Sequence, residues 1–163
     1  SNLLIRDGGI RGTVINTKGR LKEIKRTEDG LVYVEAGIPC AHVARFCAEQ
    51  GLIGAEFLAG IPGTIGGALK MNAGAFGGEM WSIVKQVELI DVSGNISIRP
   101  HADFNVSYRS VKNIENQWFL SCQLELPEGN AEDSFQKIKL FGEIIICFLN
   151  KRILLQVGLF GIK

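Results

Sequence analysis

An α+β fold is predicted by three features of the chain: short runs rich in β-branched residues, one helical stretch with a glycine-rich loop after it, and a second apolar-periodic helix after the last strand. The order is strands, helix, glycine loop, strands, helix, which is not the strict alternation of a parallel sheet.

The elements can be justified in turn. Thr13–Thr17 and Leu31–Ala36 are rich in β-branched residues and read as strands. Pro39 suits the first turn of a helix, where its missing N–H would have no partner anyway. Ala41, Ala44, Cys47 and Ala48 then recur at helical spacing, and Gly51 stands where the helix should end. Val84–Asp91 leads through Ser93-Gly94-Asn95 into Ile96-Ser97-Ile98, a predicted β-hairpin. Residues 118–126 alternate, with Trp118, Leu120, Cys122, Leu124 and Leu126 on one side and Ser121, Gln123 and Glu125 mostly opposite, the pattern of a half-buried antiparallel strand. From near Ala131 a second helix would bury Phe135, Ile138, Phe141, Ile145 and Phe148.

Composition narrows the function. With 163 residues, 46% hydrophobic and 21% charged, the chain can bury one ordinary core. Eighteen Lys and Arg against seventeen Asp and Glu leave a net charge of +1, so no broad basic surface for nucleic acid or anionic lipid is expected. The longest apolar run, Ile144 to Leu149, is far short of the ~20 residues that span a bilayer. No secretory pattern opens the chain, and a soluble cytoplasmic protein is the expectation. Cys40, Cys47, Cys122 and Cys147 lack CxxC spacing and read as buried free thiols, and with only His42 and His101 available no metal site is signalled. Neither histidine has a recognisable catalytic partner, and no GxSxG elbow occurs.

The chemistry is concentrated between Phe57 and Gly78. This stretch holds seven glycines, one proline and one charge, Lys70, and no carboxylate. Glycine lets bare backbone approach a ligand closely, so successive N–H groups can face one concavity, and the lack of acids leaves an anion unopposed. A phosphate or pyrophosphate is the expected guest; a purely structural crossover with tight turns is the other reading. Neither GxxxxGK[ST] nor a strand-borne GxGxxG occurs, which disfavours a P-loop NTPase and a Rossmann dehydrogenase.

Gly60-Ile-Pro-Gly-Thr-Ile-Gly-Gly-Ala68, continuing to Met71-Asn-Ala-Gly-Ala-Phe-Gly-Gly-Glu79, resembles the flavin-binding segment of the UDP-N-acetylenolpyruvoylglucosamine reductases (UDP-N-acetylmuramate dehydrogenases). Ser1-Asn2-Leu3-Leu4-Ile5-Arg6-Asp7 looks like that family's other flavin loop, and Ser107-Tyr108-Arg109-Ser110 like its tyrosine-arginine substrate motif. The resemblance covers about residues 1 to 126 and continues weakly to Lys151-Arg152. It implies part of an FAD-binding fold of the vanillyl-alcohol-oxidase (PCMH) type. Ser1, Asn2, Leu3 and Leu4 would contact FAD together with Gly60, Ile61, Pro62, Gly63, Thr64, Gly66 and Gly67, and Asn72 and Ala73 would border the flavin ring beside Gly74. Arg109 would be the catalytic cation and Tyr108 a substrate-binding neighbour. The implied reaction uses NADPH and FAD to reduce UDP-N-acetylglucosamine enolpyruvate to UDP-N-acetylmuramate. A planar guanidinium suits a developing enolate carboxylate better than lysine would.

The same resemblance predicts departures. Residues 1–126 would be the FAD-binding domain, with the end of a first subdomain and most of a second, and 127–163 a helix and an atypical tail, KRILLQVGLFGIK. The family's C-terminal substrate domain supplies a proton-donating serine and an assisting glutamate; here no serine follows Ser134 and no acid follows Glu143. The expectation is that this domain is absent, through a truncated or frameshifted reading frame, with negligible turnover and an apolar end, Ile153 to Ile162, left uncovered. A non-catalytic phosphate- or nucleotide-binding module is the alternative.

Overall fold

Val32 and Val34 are fully buried while Tyr33 and Glu35 are only partly so, and this two-residue alternation sets the plan of the central sheet. The computed structural model of the protein describes residues 5–17 and 19–159, with side chains as far as Cys147. The expected first flavin loop, Ser1–Leu4, lies outside the described residues, as do the side chains of Phe148 and the apolar stretch from Ile153 onward.

Five strands form the main sheet: β1 (Ile24–Arg26), β2 (Val32–Glu35), β5 (Val84–Asp91), β6 (Ile96–Pro100) and β9 (Gln117–Leu124), in the order β1-β2-β9-β5-β6. Every pairing is antiparallel. Val34 faces Cys122, which faces Val87, and all three are buried, so one row of the sheet runs into the core. The next row, Tyr33, Gln123 and Gln86, turns outward, with the Gln86 amide donating to Gln123 Oε1 at 3.0 Å. At the β5–β6 turn, Asp91 Oδ1 accepts from the amides of Ser93 and Asn95.

The structure corrects several expectations. Thr13–Thr17 forms no strand; it runs irregularly, with Val14 and Ile15 exposed. In β9 the predicted alternation changes phase, because the pairing shifts from Glu88↔Ser121 to Leu89↔Phe119 and leaves Leu120 as an extra residue. Cys122 and Leu124 stay inward, but Phe119 replaces Trp118 in the core, and Trp118 is 57% exposed. Pro39 caps the first helix instead of opening it, with extended ψ of 135°. That helix, α1 (Cys40–Glu49), buries Cys40, Val43, Ala44, Cys47 and Ala48, and Ala41 is exposed.

Gly51 ends α1 as expected. Its φ of +69° is cheap only for glycine, its N–H donates to Ala48, and Leu52 N–H donates to Cys47, closing the helix with a Schellman pair. After it come a 3₁₀ turn over Glu56–Gly60, the short α2 (Ile65–Lys70), a small hairpin of β3 (Gly74–Ala75) and β4 (Gly78–Glu79), and after β6 a second hairpin of β7 (Asn105–Ser107) and β8 (Ser110–Lys112). The long α3 (Ala131–Leu159) starts at Asn130, whose Oδ1 accepts from Glu132 N at 2.9 Å. Ile138 is buried on it and Phe141 partly so, whereas Phe135 is 38% exposed. Cys40, Cys47 and Cys122 are buried thiols, but Cys147 is exposed. Burial pushes Cys40 and Cys47 up to about 12, so neither is a thiolate at neutral pH.

One buried polar pair fastens α3 to the loop region. Ser134 Oγ, 1% exposed, donates to Glu56 Oε1 at 2.7 Å, and Gly54 N–H donates to Glu56 Oε2 at 2.8 Å. Burial pushes the Glu56 carboxyl up, but the bonds from Ser134 and the backbone, aided by Lys137, outweigh it and hold the group below its ordinary value. A lowered carboxyl contributes stability above its unfolded value, and this is lost as pH falls through the folded one. Ser134→Ala is therefore expected to cost about 2 kcal/mol near neutral pH. Urea unfolding across pH should show the gap from the wild type narrowing on acidification below the ordinary glutamate range.

Candidate functional site

The glycine loop is held in place by the connection between β2 and α1. Ile65 N–H donates to Ile38 at 2.9 Å, Gly66 N–H to Ala36 at 2.9 Å, and Cys40 N–H to Gly63 at 3.0 Å. Gly66 permits this contact, since a Cβ there would lie 3.1 Å from that of Ala36. Ile61 and Ala68 amides are also committed, to Leu58 and Thr64. Among the described residues no backbone carbonyl accepts from the amides of Gly63, Thr64 or Gly67. All three residues line one cavity of about 750 Å³, well within the range of small-molecule sites.

The rest of the lining is nearly uncharged. It comprises Ile15, Asn16, Thr17, Pro39, Gly60, Ile61, Pro62, Ala68, Met71, Ala73, Gly74 and Arg109. Among the described residues of the lining there is no carboxylate and Arg109 is the single charge, so this lining favours an anion. Of the expected contact residues, Gly60, Ile61, Pro62, Gly63, Thr64, Gly67, Ala73 and Arg109 line it. Gly66, Asn72 and Tyr108 do not; Gly66 serves the contact with Ala36, Asn72 is buried behind the wall, and Tyr108 is 86% exposed.

Ile15, Asn16 and Thr17 are the residues that sequence reasoning missed. Their β-branched composition suggested a strand, and only the packed chain shows them as a wall. Gly37 makes the approach possible, because a Cβ there would strike the carbonyl oxygens of Thr17 and Leu21.

The glycines divide by role. Gly60 and Gly78 each lie under an aromatic ring, those of Phe76 and Phe57, and a Cβ at either would collide with it. Gly63 holds φ of +152°, which any other residue would adopt only under strain. Gly67 lines the cavity with nothing within 4 Å of a built Cβ. The loop is thus a packed crossover at some glycines and an open cavity rim at others.

Arg109 arrives from the other side, on the two-residue turn Tyr108-Arg109 joining β7 and β8. Its φ of +53° costs a non-glycine residue about 1–2 kcal/mol. The hairpin base is fixed by Arg99, which donates to the Asn113 carbonyl at 2.9 Å, pairs with Asp103 at 3.3 Å and lies 4.4 Å over the Phe104 ring. Phe104 in turn packs on Trp81, whose indole N–H donates to Leu69 of α2 at 2.8 Å. His101 meets the edge of Trp81 at 5.4 Å, and His42 is exposed on α1. Among the described residues no group of His, Cys, Asp and Glu could hold a metal ion, and no helix is long and apolar enough to cross a membrane.

Residues 1–98 match a family described as FAD binding domain. The UDP-N-acetylenolpyruvoylglucosamine reductase of Methylococcus capsulatus is 55% identical over 139 residues, covering 85% of this chain and 46% of that protein. That of Nitrosococcus oceani is also 55% identical over 139 residues, with 85% and 47% covered. Among solved structures, UDP-N-acetylenolpyruvylglucosamine reductase from Thermus caldophilus gives a TM-score of 0.63 at 28% identity, covering 69% of this chain and 42% of that one. The chain spans under half the length of each of these relatives.

Two substitutions separate the roles in the loop and the turn. Gly67→Asp has room for its side chain and should leave the far-ultraviolet dichroism and melting temperature nearly unchanged, while removing flavin absorbance from the purified protein. Arg109→Gly relieves the left-handed turn and should leave thermal stability unchanged or higher by up to about 1 kcal/mol.

Proposed function

Because the chain belongs to the FAD-binding domain family, with the α+β flavin-binding fold of the vanillyl-alcohol-oxidase (PCMH) type, we propose that it is the flavin-holding part of a UDP-N-acetylenolpyruvoylglucosamine reductase. The observation that carries this reading is the cavity whose described lining holds no carboxylate, with Gly63, Thr64 and Gly67, whose amides meet no backbone carbonyl among the described residues, on one side and Arg109 on the other. Two phosphates taken out of water need many donors and no neighbouring carboxylate, and this cavity meets both demands. FAD, when bound, supplies reversible two-electron hydride chemistry.

In this reading Gly60–Gly67 grips the pyrophosphate together with Ser1–Leu4. Ala73 and Gly74 border the ring system, and Ile15, Asn16 and Thr17 close the opposite wall. Asn72 is assigned a role behind the wall. Residues 1–126 form the flavin-binding unit and 127–163 the helix and tail. NADPH is the hydride source, and UDP-N-acetylglucosamine enolpyruvate is the acceptor, yielding UDP-N-acetylmuramate. Reduction of the enolpyruvyl double bond adds a hydride to one carbon and a proton to its neighbour, with negative charge building on the attached carboxylate in between.

Arg109 is the group proposed to meet that charge. Its guanidinium is permanently charged, and the constrained turn fixes its backbone before the substrate arrives, so little reorganisation accompanies the charge. Tyr108, exposed beside it, is proposed to contact the nucleotide sugar. The product belongs to peptidoglycan synthesis, which serves cell-wall growth, cell shape and division in the cytoplasm.

Titration of the purified chain with FAD, followed by flavin fluorescence, should show saturable binding at one site. A folded chain that takes up no flavin would overturn the proposal. In a full-length reductase, Arg109→Lys at the matching position should leave flavin content intact and slow reoxidation by substrate about 10²-fold.

A further inference from the structure

We propose that Asn72 is a positioning residue that sets the distance between the two walls of the cavity, and this rests on the flavin reading above. Asn72 is 4% exposed and lies outside the cavity lining, yet it holds a left-handed φ of +40°. Its side-chain amide donates to Glu79 Oε2 at 2.9 Å and to the Ser107 carbonyl at 3.3 Å, and its Oδ1 accepts from Trp81 N–H at 3.1 Å.

These partners belong to different parts of the site. Ala73 and Gly74, the next residues, line the cavity on the cofactor-loop side. Ser107 immediately precedes Tyr108 and Arg109, and Arg109 lines the cavity from the hairpin side. Trp81 carries the core contact with Phe104 that supports the hairpin. One buried amide therefore ties the cofactor loop, the hairpin and the core into a single register. Only an amide can do this: the position needs two donated protons and one acceptor, which a carboxylate or an alkyl group lacks. Asparagine also tolerates the left-handed backbone better than most residues.

The test uses the whole chain with FAD as the probe. Asn72→Asp places a carboxylate against that of Glu79, and FAD affinity should fall about tenfold. Adding Glu79→Gln reverses the pair, so that the new amide at position 79 donates to the new carboxylate at position 72, and affinity should return to within about threefold of the wild type. Amide hydrogen exchange over Ser107–Ser110 should stay about tenfold faster in this double variant, because a carboxylate at position 72 has no proton for the Ser107 carbonyl. Simple cavity filling would not produce this split between rescued affinity and unrescued exchange. Glu79 is exposed, so Glu79→Ala provides a foldable variant that should also lose about tenfold in affinity if Asn72→Asp does not fold.

Wild-type FAD affinity in folded Asn72→Asp and in Glu79→Ala would overturn the proposal, as would a double variant no better than Asn72→Asp. If the wild-type chain itself takes up no FAD, the flavin reading fails. The exchange rate at Ser107–Ser110, which needs no flavin, still tests the Asn72 link.

Discussion

The site depends on three backbone hydrogen bonds that pin the glycine loop to the turn between β2 and α1. They consume the amides of Ile65, Gly66 and Cys40, and in residues that border the cavity they leave the amides of Gly63, Thr64 and Gly67 without a backbone carbonyl partner among the described residues. A flexible glycine loop would lose much conformational entropy on gripping an anion, whereas one already ordered by its own backbone loses less. The sheet supplies the anchor, because Val32 and Val34 are locked between β1 and β9 before the chain reaches Ala36 and Ile38.

The rear of the loop is reinforced by side chains. Ser134 of α3 bonds Glu56 at the start of the 3₁₀ turn that delivers Gly60, and Phe141 stacks on Phe76 at 4.0 Å between ring centres. Phe76 covers Gly60 in turn. The helix thus bears on both ends of the glycine-rich segment, which explains why residues so distant in sequence as 56 and 134 share a buried hydrogen bond. The opposite wall runs through Trp81, Phe104 and Arg99 to the Tyr108-Arg109 turn, and Asn72 joins the two assemblies beside the bond from the Trp81 indole to Leu69.

The longer elements were legible in the residues, whereas β1, α2 and the four short hairpin strands β3, β4, β7 and β8 were not. The β5–β6 hairpin, the glycine stop of α1 and the start of α3 follow from local patterns that the tertiary structure did not need to alter. The misreadings share one cause, which is that local pattern carries no information about partners. Thr13–Thr17 has strand composition but pairs with no strand among the described residues, and Trp118 is turned out by a bulge that depends on the register with β5. The family resemblance sets Asn72 beside the flavin ring, and the structure adds hydrogen-bond partners 7, 9 and 35 positions away that no local pattern announces.

What the sequence determined by itself was the chemistry of the loop: glycines, a proline and an absence of acids define a surface of backbone donors wherever the chain places it. The tertiary structure alone decided which glycines serve packing and which face the cavity, that residues 15–17 form its second wall, and that Arg109 reaches it from a hairpin more than forty residues downstream of the loop. Those outcomes rest on close approach and long-range pairing, at Gly37, Gly66 and the Ser107 carbonyl, and such contacts exist only once the core has brought distant segments together.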